Sequence, residues 1–153
     1  MPWLPDTFGH PQLVDIDSEH HIRPIAASDV DLDMVAVMGS HERLFSIYGQ
    51  SWGWPPATMT REQDLEDLEH HVHEMHTRAS YNYALFGKDE SQLLGCIYID
   101  QPDDDKHDAV VSWWVINDLV GSELESTVDA FVPSWLKRDW PFSVVRFGVW
   151  VGE

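Results

Sequence analysis

Positive charge is what this chain has least of: 9 Lys and Arg stand against 27 Asp and Glu, a formal charge of -18 over 153 residues. A surface so anionic is repelled by phosphate backbones and anionic lipid headgroups, which excludes nucleic acid and membrane surfaces as partners. Cationic molecules are drawn to it instead, amines above all, although solubility alone also accounts for such a balance. Cysteine is nearly absent. The one thiol, Cys96, excludes an internal disulfide and fits a reducing cytoplasm, and its place in an apolar strand makes it a buried side chain rather than a nucleophile. No apolar run is long enough to span a bilayer, and the polar, proline-rich N-terminus does not form a secretion signal. There is no Gly-x-Gly, no nucleophile elbow and no Ser/His/Asp spacing.

Tryptophan is abundant, with 8 in one domain-sized chain. Indoles are costly to expose, so most belong to a core or line a groove. The stretch Leu93 to Leu136 organises the rest: LLGCIYID, an acidic turn at Asp103, Asp104 and Asp105, then AVVSWWVI and the run SELESTVDAFVPSWL. It predicts two strands joined by a hairpin and followed by a helix. Tyr98 and Asp100 share one side of the first strand. On the second, Ser112 and Trp114 lie opposite Trp113 and Val115. Both faces of the second strand are apolar, which predicts a central strand over 109–116 covered on two sides. Ser122 with Glu125 reads as a capping box opening a helix over 122–138. Its apolar stripe is Leu124, Val128, Phe131, Val132, Trp135 and Leu136, and Pro133 should bend it.

Ahead of this stretch, residues 1–20 read as an irregular arm and His21 to Ile25 as a strand. Ser28 is expected to cap a helix facing the core with Leu32, Val35, Ala36 and Met38. Ser40 should start another helix, closed by Gly49. The segment 50–58 (QSWGWPPAT) reads as a stiff aromatic loop, in which Trp52 and Trp54 either grip a ligand or lid the core. Thr60 with Gln63 opens a helix expected to bury Leu65, Leu68, Val72 and Met75. Its run HHVHEMH permits chelation by spacing, but a solvated helix face is preferred and no metal is expected. Tyr81 to Phe86 predicts a strand, and 143–151 a final one.

This order of elements over residues 21 to 147, with the Arg23-Pro24 opening, resembles the GNAT superfamily of acyl-CoA-dependent N-acetyltransferases. The resemblance implies an α+β fold: a mixed, mostly antiparallel sheet flanked by helices, here one domain over 21–153. It also implies an acyltransferase moving an acyl group from acetyl-CoA or another acyl-CoA to the amine of a small molecule. In the family a central strand leads into a Q/R-x-x-G-x-G/A loop that holds the CoA pyrophosphate at a helix start. Val115, Asn117, Val120, Gly121 and Ser122 fall on that region, with Val120 at the Arg/Gln position and Glu123 and Glu125 at the two glycines. Glutamate adds bulk and like charge beside phosphate, so Glu123 and Glu125 read better as stabilisers of the helix start. The alternative function is therefore a GNAT-fold binding module that has lost CoA, or a different reaction in the same groove.

The family's acceptor groove is walled by the connection between its first two helices, which implies substrate contacts at Tyr48, Trp52, Trp54 and Trp114. By position alone, Asp100, Tyr98 and Ser112 are the candidates for proton handling, with Asp100 equally able to begin the acidic turn. The family's last helix and two strands, which carry its general-acid tyrosine, are not expected here. The resulting flank of the sheet should be covered by the arm or by a second subunit in a homodimer.

Overall fold

A computed structural model describes residues 2–149. Six strands stand side by side in chain order: β1 (Val14–Asp15), β2 (His20–Pro24), β3 (Ser80–Gly87), β4 (Leu93–Asp100), β5 (Ala109–Val115) and β6 (Val145–Phe147). All neighbours are antiparallel except β5 and β6, which run parallel because α4 (Glu123–Asp139) crosses between them. Helices α1 (Val30–Gly39), α2 (His41–Trp52) and α3 (Arg61–His76) lie between β2 and β3 in sequence. The architecture is the mixed, mostly antiparallel α+β sheet that the sequence predicts.

Register sorts the side chains. Asn82 pairs with Tyr98 and Tyr98 with Ser112, so these three form a row across β3, β4 and β5. The next row is Ser80, Asp100 and Val110, on the same face. On the opposite face Tyr83 meets Trp135 of α4 edge to face at 5.0 Å, and Tyr81 meets Trp140 at 5.1 Å. One more close approach is fixed by a glycine. A Cβ on Gly95 would sit 2.1 Å from the Trp114 carbonyl oxygen, so any side chain there drives β4 and β5 apart.

The N-terminal arm packs over the α4 face. Trp3 Nε1 donates to the Asp108 carbonyl at 2.7 Å and its ring stacks on Phe142, while Leu4 is buried. Arg78 donates to the Phe8 carbonyl at 2.8 Å, and the Tyr83 hydroxyl to that of Pro11 at 2.7 Å.

Several expectations are corrected. β5 is interior as expected, paired with β4 and β6, although it lies one strand in from the edge rather than at the middle of the six. Its two apolar faces are covered by helices above and below, which says nothing about how many strands lie alongside. The first helix begins at Val30, because Ser28 belongs to a single 3-10 turn (Ala27–Asp29) whose Asp29 carboxylate takes the Ala26 amide and Arg23. α2 runs through Gly49 to Trp52 and stops where Gly53 adopts a left-handed φ of 64, so Trp52 sits on a helix rather than in a loop. α1 and α3 are each rotated from their expected apolar stripes. Val35 and Val72 are exposed, while Asp33 and Asp64 are buried. Of the strand expected over 143–151, Val145–Phe147 forms, and residues 150 and 151 lie outside the described residues.

Candidate functional site

The rotation of α1 and α3 builds the site. Hydrophobicity favoured Leu65 and Val72, but the face turned inward from α3 carries Asp64, Leu68, His71 and Met75, and α1 adds Asp33. Between these helices, the end of α2 and the Asn82–Tyr98 row lies a cavity of about 430 Å³. Asp33, Asp67, His71, Asn82 and Tyr98 line it together with the indoles of Trp52 and Trp54. Two smaller cavities, each of about 190 Å³, continue it along β4. The first is bordered by His71, Glu74, Tyr98 and Asp100, the second by Asp100, Asp103, Ser112 and Gly148. Trp52 lines all three, so they form one groove with this indole as their common wall.

The aromatic walls hold one another. Tyr48 stacks on Trp52 at 4.6 Å, and Tyr98 meets Tyr48, Trp52 and Trp54 edge to face. The Tyr48 hydroxyl donates to Ser112 Oγ at 3.2 Å, and Trp114 Nε1 donates to the Tyr98 hydroxyl at 2.9 Å. Burial pushes both phenol pKa values up, so each hydroxyl keeps its proton.

The electrostatics are one-sided. No Lys or Arg is among the residues lining the three cavities. Burial, reinforced by the Glu74 charge, raises the Asp100 carboxyl to about 6. Burial opposes a charged His71, yet Asp67, Glu74 and Asp100 outweigh it and hold the imidazole above its usual value. Asp33 is pushed well up by burial and by Asp64 beside it. Asp64 has no N–H or O–H donor on either oxygen, so only a proton carried between the two carboxyls joins them. Asn82 Oδ1 is likewise buried without a donor, Trp54 Nε1 without an acceptor, and His71 Nδ1 without a hydrogen-bond partner.

The groove thus brings Tyr48, Trp52, Trp54, Tyr98, Asp100 and Ser112 together, with Trp114 directly behind Tyr98. Sequence reasoning passed over Asp33, Asp64, Asp67, His71 and Asn82. His71 belongs to the HHVHEMH run expected on a solvated helix face; for the acids an inward tilt of the helical period was the only available signal.

The residues placed on the family's phosphate loop sit at the other end of β5 and are differently employed. Asn117 is a clamp: its N–H donates to Ser40 Oγ at 3.0 Å and its Oδ1 accepts from Arg43 Nε at 2.8 Å, while Arg43 also donates to the Val115 carbonyl. The amides of Leu119, Val120 and Ser122 donate to carbonyls of the preceding turn. The Gly121 amide donates to Glu125 Oε1 at 2.9 Å, and the Glu125 amide to Ser122 Oγ at 3.2 Å. Glu125 therefore reaches back to Gly121 rather than to the Ser122 amide of a regular capping box. These five amides are engaged within the turn, and Glu123 and Glu125 add negative charge at the helix start.

Among the described residues, no group of three or more His, Cys, Asp or Glu is placed to hold a metal ion, and no helix is long and apolar enough to cross a membrane.

No protein-family model matches the sequence, and no curated protein matches it. Solved structures do. A probable acetyltransferase superposes with a TM-score of 0.68 at 12% identity, covering 92% of this chain and 75% of that one. The ribosomal-protein-S5-alanine acetyltransferase of Vibrio fischeri gives 0.61 at 14% identity, covering 83% and 68%. The microcin C7 self-immunity acetyltransferase MccE, in complex with acetyl-CoA and AMP, gives 0.64 at 8% identity, covering 82% and 67%. The chain has the fold of the GNAT acetyltransferases.

Proposed function

We propose that this protein is a GNAT-type N-acyltransferase that modifies the amine of a small cationic molecule. The observation that carries the reading is the groove itself: a box of aromatic rings, lined by carboxylates and, among the described residues, by no Lys or Arg, with Asp100 at the end beside β5 and Gly148. Fold alone does not imply chemistry. The charge of this groove does fit the acceptor such a reaction needs.

Acyl transfer requires an amine stripped of its extra proton. An acyl-CoA supplies the activated carbonyl; the protein's own residues bind and deprotonate the acceptor. Cation–π attraction to Trp52 and Trp54 draws the ammonium in, and the surrounding carboxylates retain it. Asp100, raised to about 6, is ionised near neutral pH yet basic enough to take a proton from nitrogen directly or through a water molecule. Tyr98 and Tyr48 keep their protons and act as hydrogen-bond donors rather than bases. Ser112 lies in the same row and orients the Tyr48 hydroxyl. Donor affinity is expected to be poor, because the start of α4 offers the diphosphate little.

The test is a panel of small amines incubated with acetyl-CoA, following free thiol and acetylated product by mass spectrometry. Amine-dependent release is expected with cationic acceptors, and Asp100→Asn should lower kcat/KM by about 10²–10³-fold. Product from neither amines nor protein N-termini, with amines still bound, would leave the binding-module reading in its place.

A further inference from the structure

The groove has two anionic ends, and acyl transfer uses only one of them. At the Asp100 end the acids are Asp100, Glu74 and Asp103. At the other end, Asp33 and Asp67 line the cavity of about 430 Å³, with Asp64 beside Asp33. This second end is a built site rather than a solvated cluster of acids. Asp33 is 4% exposed, Asp64 is 0% and Asn82 is 3%. Asn82 borders the cavity and its Oδ1 accepts no hydrogen bond, although a buried amide oxygen left unpaired is costly to folding. An acceptor on an asparagine and carboxylates on two helices converge there, roofed by Trp54, whose edge-to-face partners Tyr48 and Tyr98 fix its ring. That is the chemistry of an ammonium subsite: hydrogen-bond acceptors below and a π-face above.

We propose that the acceptor is a small aliphatic diamine, held with its reacting amine at Asp100 and Ser112 and its second ammonium among Asp33, Asn82 and Trp54. The inference rests on the transferase reading for the reacting end only. The sheet supplies the measure of the ligand. Asn82 pairs with Tyr98 and Asp100 lies two residues farther along β4, so Asn82 and Asp100 are diagonal neighbours. Such neighbours stand about 7–8 Å apart, which an extended chain of about four to six carbons spans. His71, raised towards its charged form by Asp67 and Glu74, sits between the two ends. A cation midway along the groove favours two separated ammonium groups over one charge at the centre. Acidic side chains at both ends of the groove, Asp33 and Asp67 at one and Glu74, Asp100 and Asp103 at the other, also suit a dication better than a monoamine.

Equilibrium titration of the full chain with diaminopentane and with pentylamine, at equal ionic strength and without acyl-CoA, separates this inference from the transferase reading. The diamine is expected to bind at least about tenfold more tightly, the loss of one charged contact being worth about 1.4 kcal/mol or more. Asp33→Asn keeps the shape of the side chain and should bring the two affinities together, weakening the diamine more than pentylamine. Asp67→Asn, at a more exposed position, should act in the same direction and guards against a folding defect in the first variant. Equal affinity for both ligands, or a preference untouched by either variant, overturns the diamine assignment. Acetylation of both amines with equal kcat/KM also overturns it while leaving the transferase reading intact. A diamine preference without acetylation supports the subsite and removes the transferase.

Discussion

Replacing Asp100 by asparagine removes a carboxyl that the native protein protonates more readily than the unfolded chain does. Its pKa rises from 3.8 to about 6 on folding, because burial and the Glu74 charge both disfavour the ionised form, against smaller opposition from His71 and Ser80. Roughly two units at about 1.4 kcal/mol each corresponds to about 3 kcal/mol, and residual exposure of the side chain reduces the expected swing to about 2 kcal/mol. The sign follows from the direction of the shift. A group whose folded pKa is raised contributes stability that is fully present below its unfolded value and lost as pH rises through its folded value. For Asp100 the loss falls between about pH 4 and about pH 6. Asp33 and Asp64 titrate in the same sense, whereas Glu90, Asp104 and Asp108, with lowered values, act in the opposite one. Only the difference between native protein and Asp100→Asn isolates the term. Urea unfolding of both at closely spaced pH values should show the variant gaining on the native protein by about 2 kcal/mol as pH rises across that window. Parallel stability curves would refute the burial argument. They would also remove the reason for assigning proton transfer to Asp100, whose kcat/KM limb near pH 6 should be absent in the variant.

Other consequences follow from particular contacts. Titration calorimetry should find acetyl-CoA bound weakly, and the double change Glu123→Gly with Glu125→Gly should strengthen it by about tenfold or more, at a cost to the helix start of about 1–2 kcal/mol; micromolar binding by the native protein contradicts the closed-loop reading. Gly95→Ala should destabilise by about 3 kcal/mol or more, measured by urea midpoint, since its new methyl meets a carbonyl oxygen rather than a movable side chain. Cys96, 2% exposed and with burial pushing its thiol up, should react with a thiol reagent only as fast as the protein opens.

The sequence by itself determined the strands, because alternating apolar residues in YNYALF, LLGCIYID and AVVSWWV leave one way to bury both pleated faces. It also determined the start of α4, where Ser122 and Glu125 act within their own turn, and the side of β4 shared by Tyr98 and Asp100, a matter of period two. These are local facts. The sequence did not determine which way α1 and α3 face. A helical wheel ranks faces by hydrophobicity, and Asp33, Asp64 and His71 stand inward against that ranking because they meet one another across two helices. Burying a carboxyl is tolerable only beside another group that shares its proton or its charge. Partners about thirty residues apart are brought together only by the packing of α1 against α3 over the sheet. The same holds for Asn82, an unremarkable residue within a strand until the register sets it beside Tyr98 and α3 leaves its oxygen facing a cavity. Polar groups held inside at a cost to folding were the part of the chain that only the tertiary structure decided, and they form the deep end of the groove.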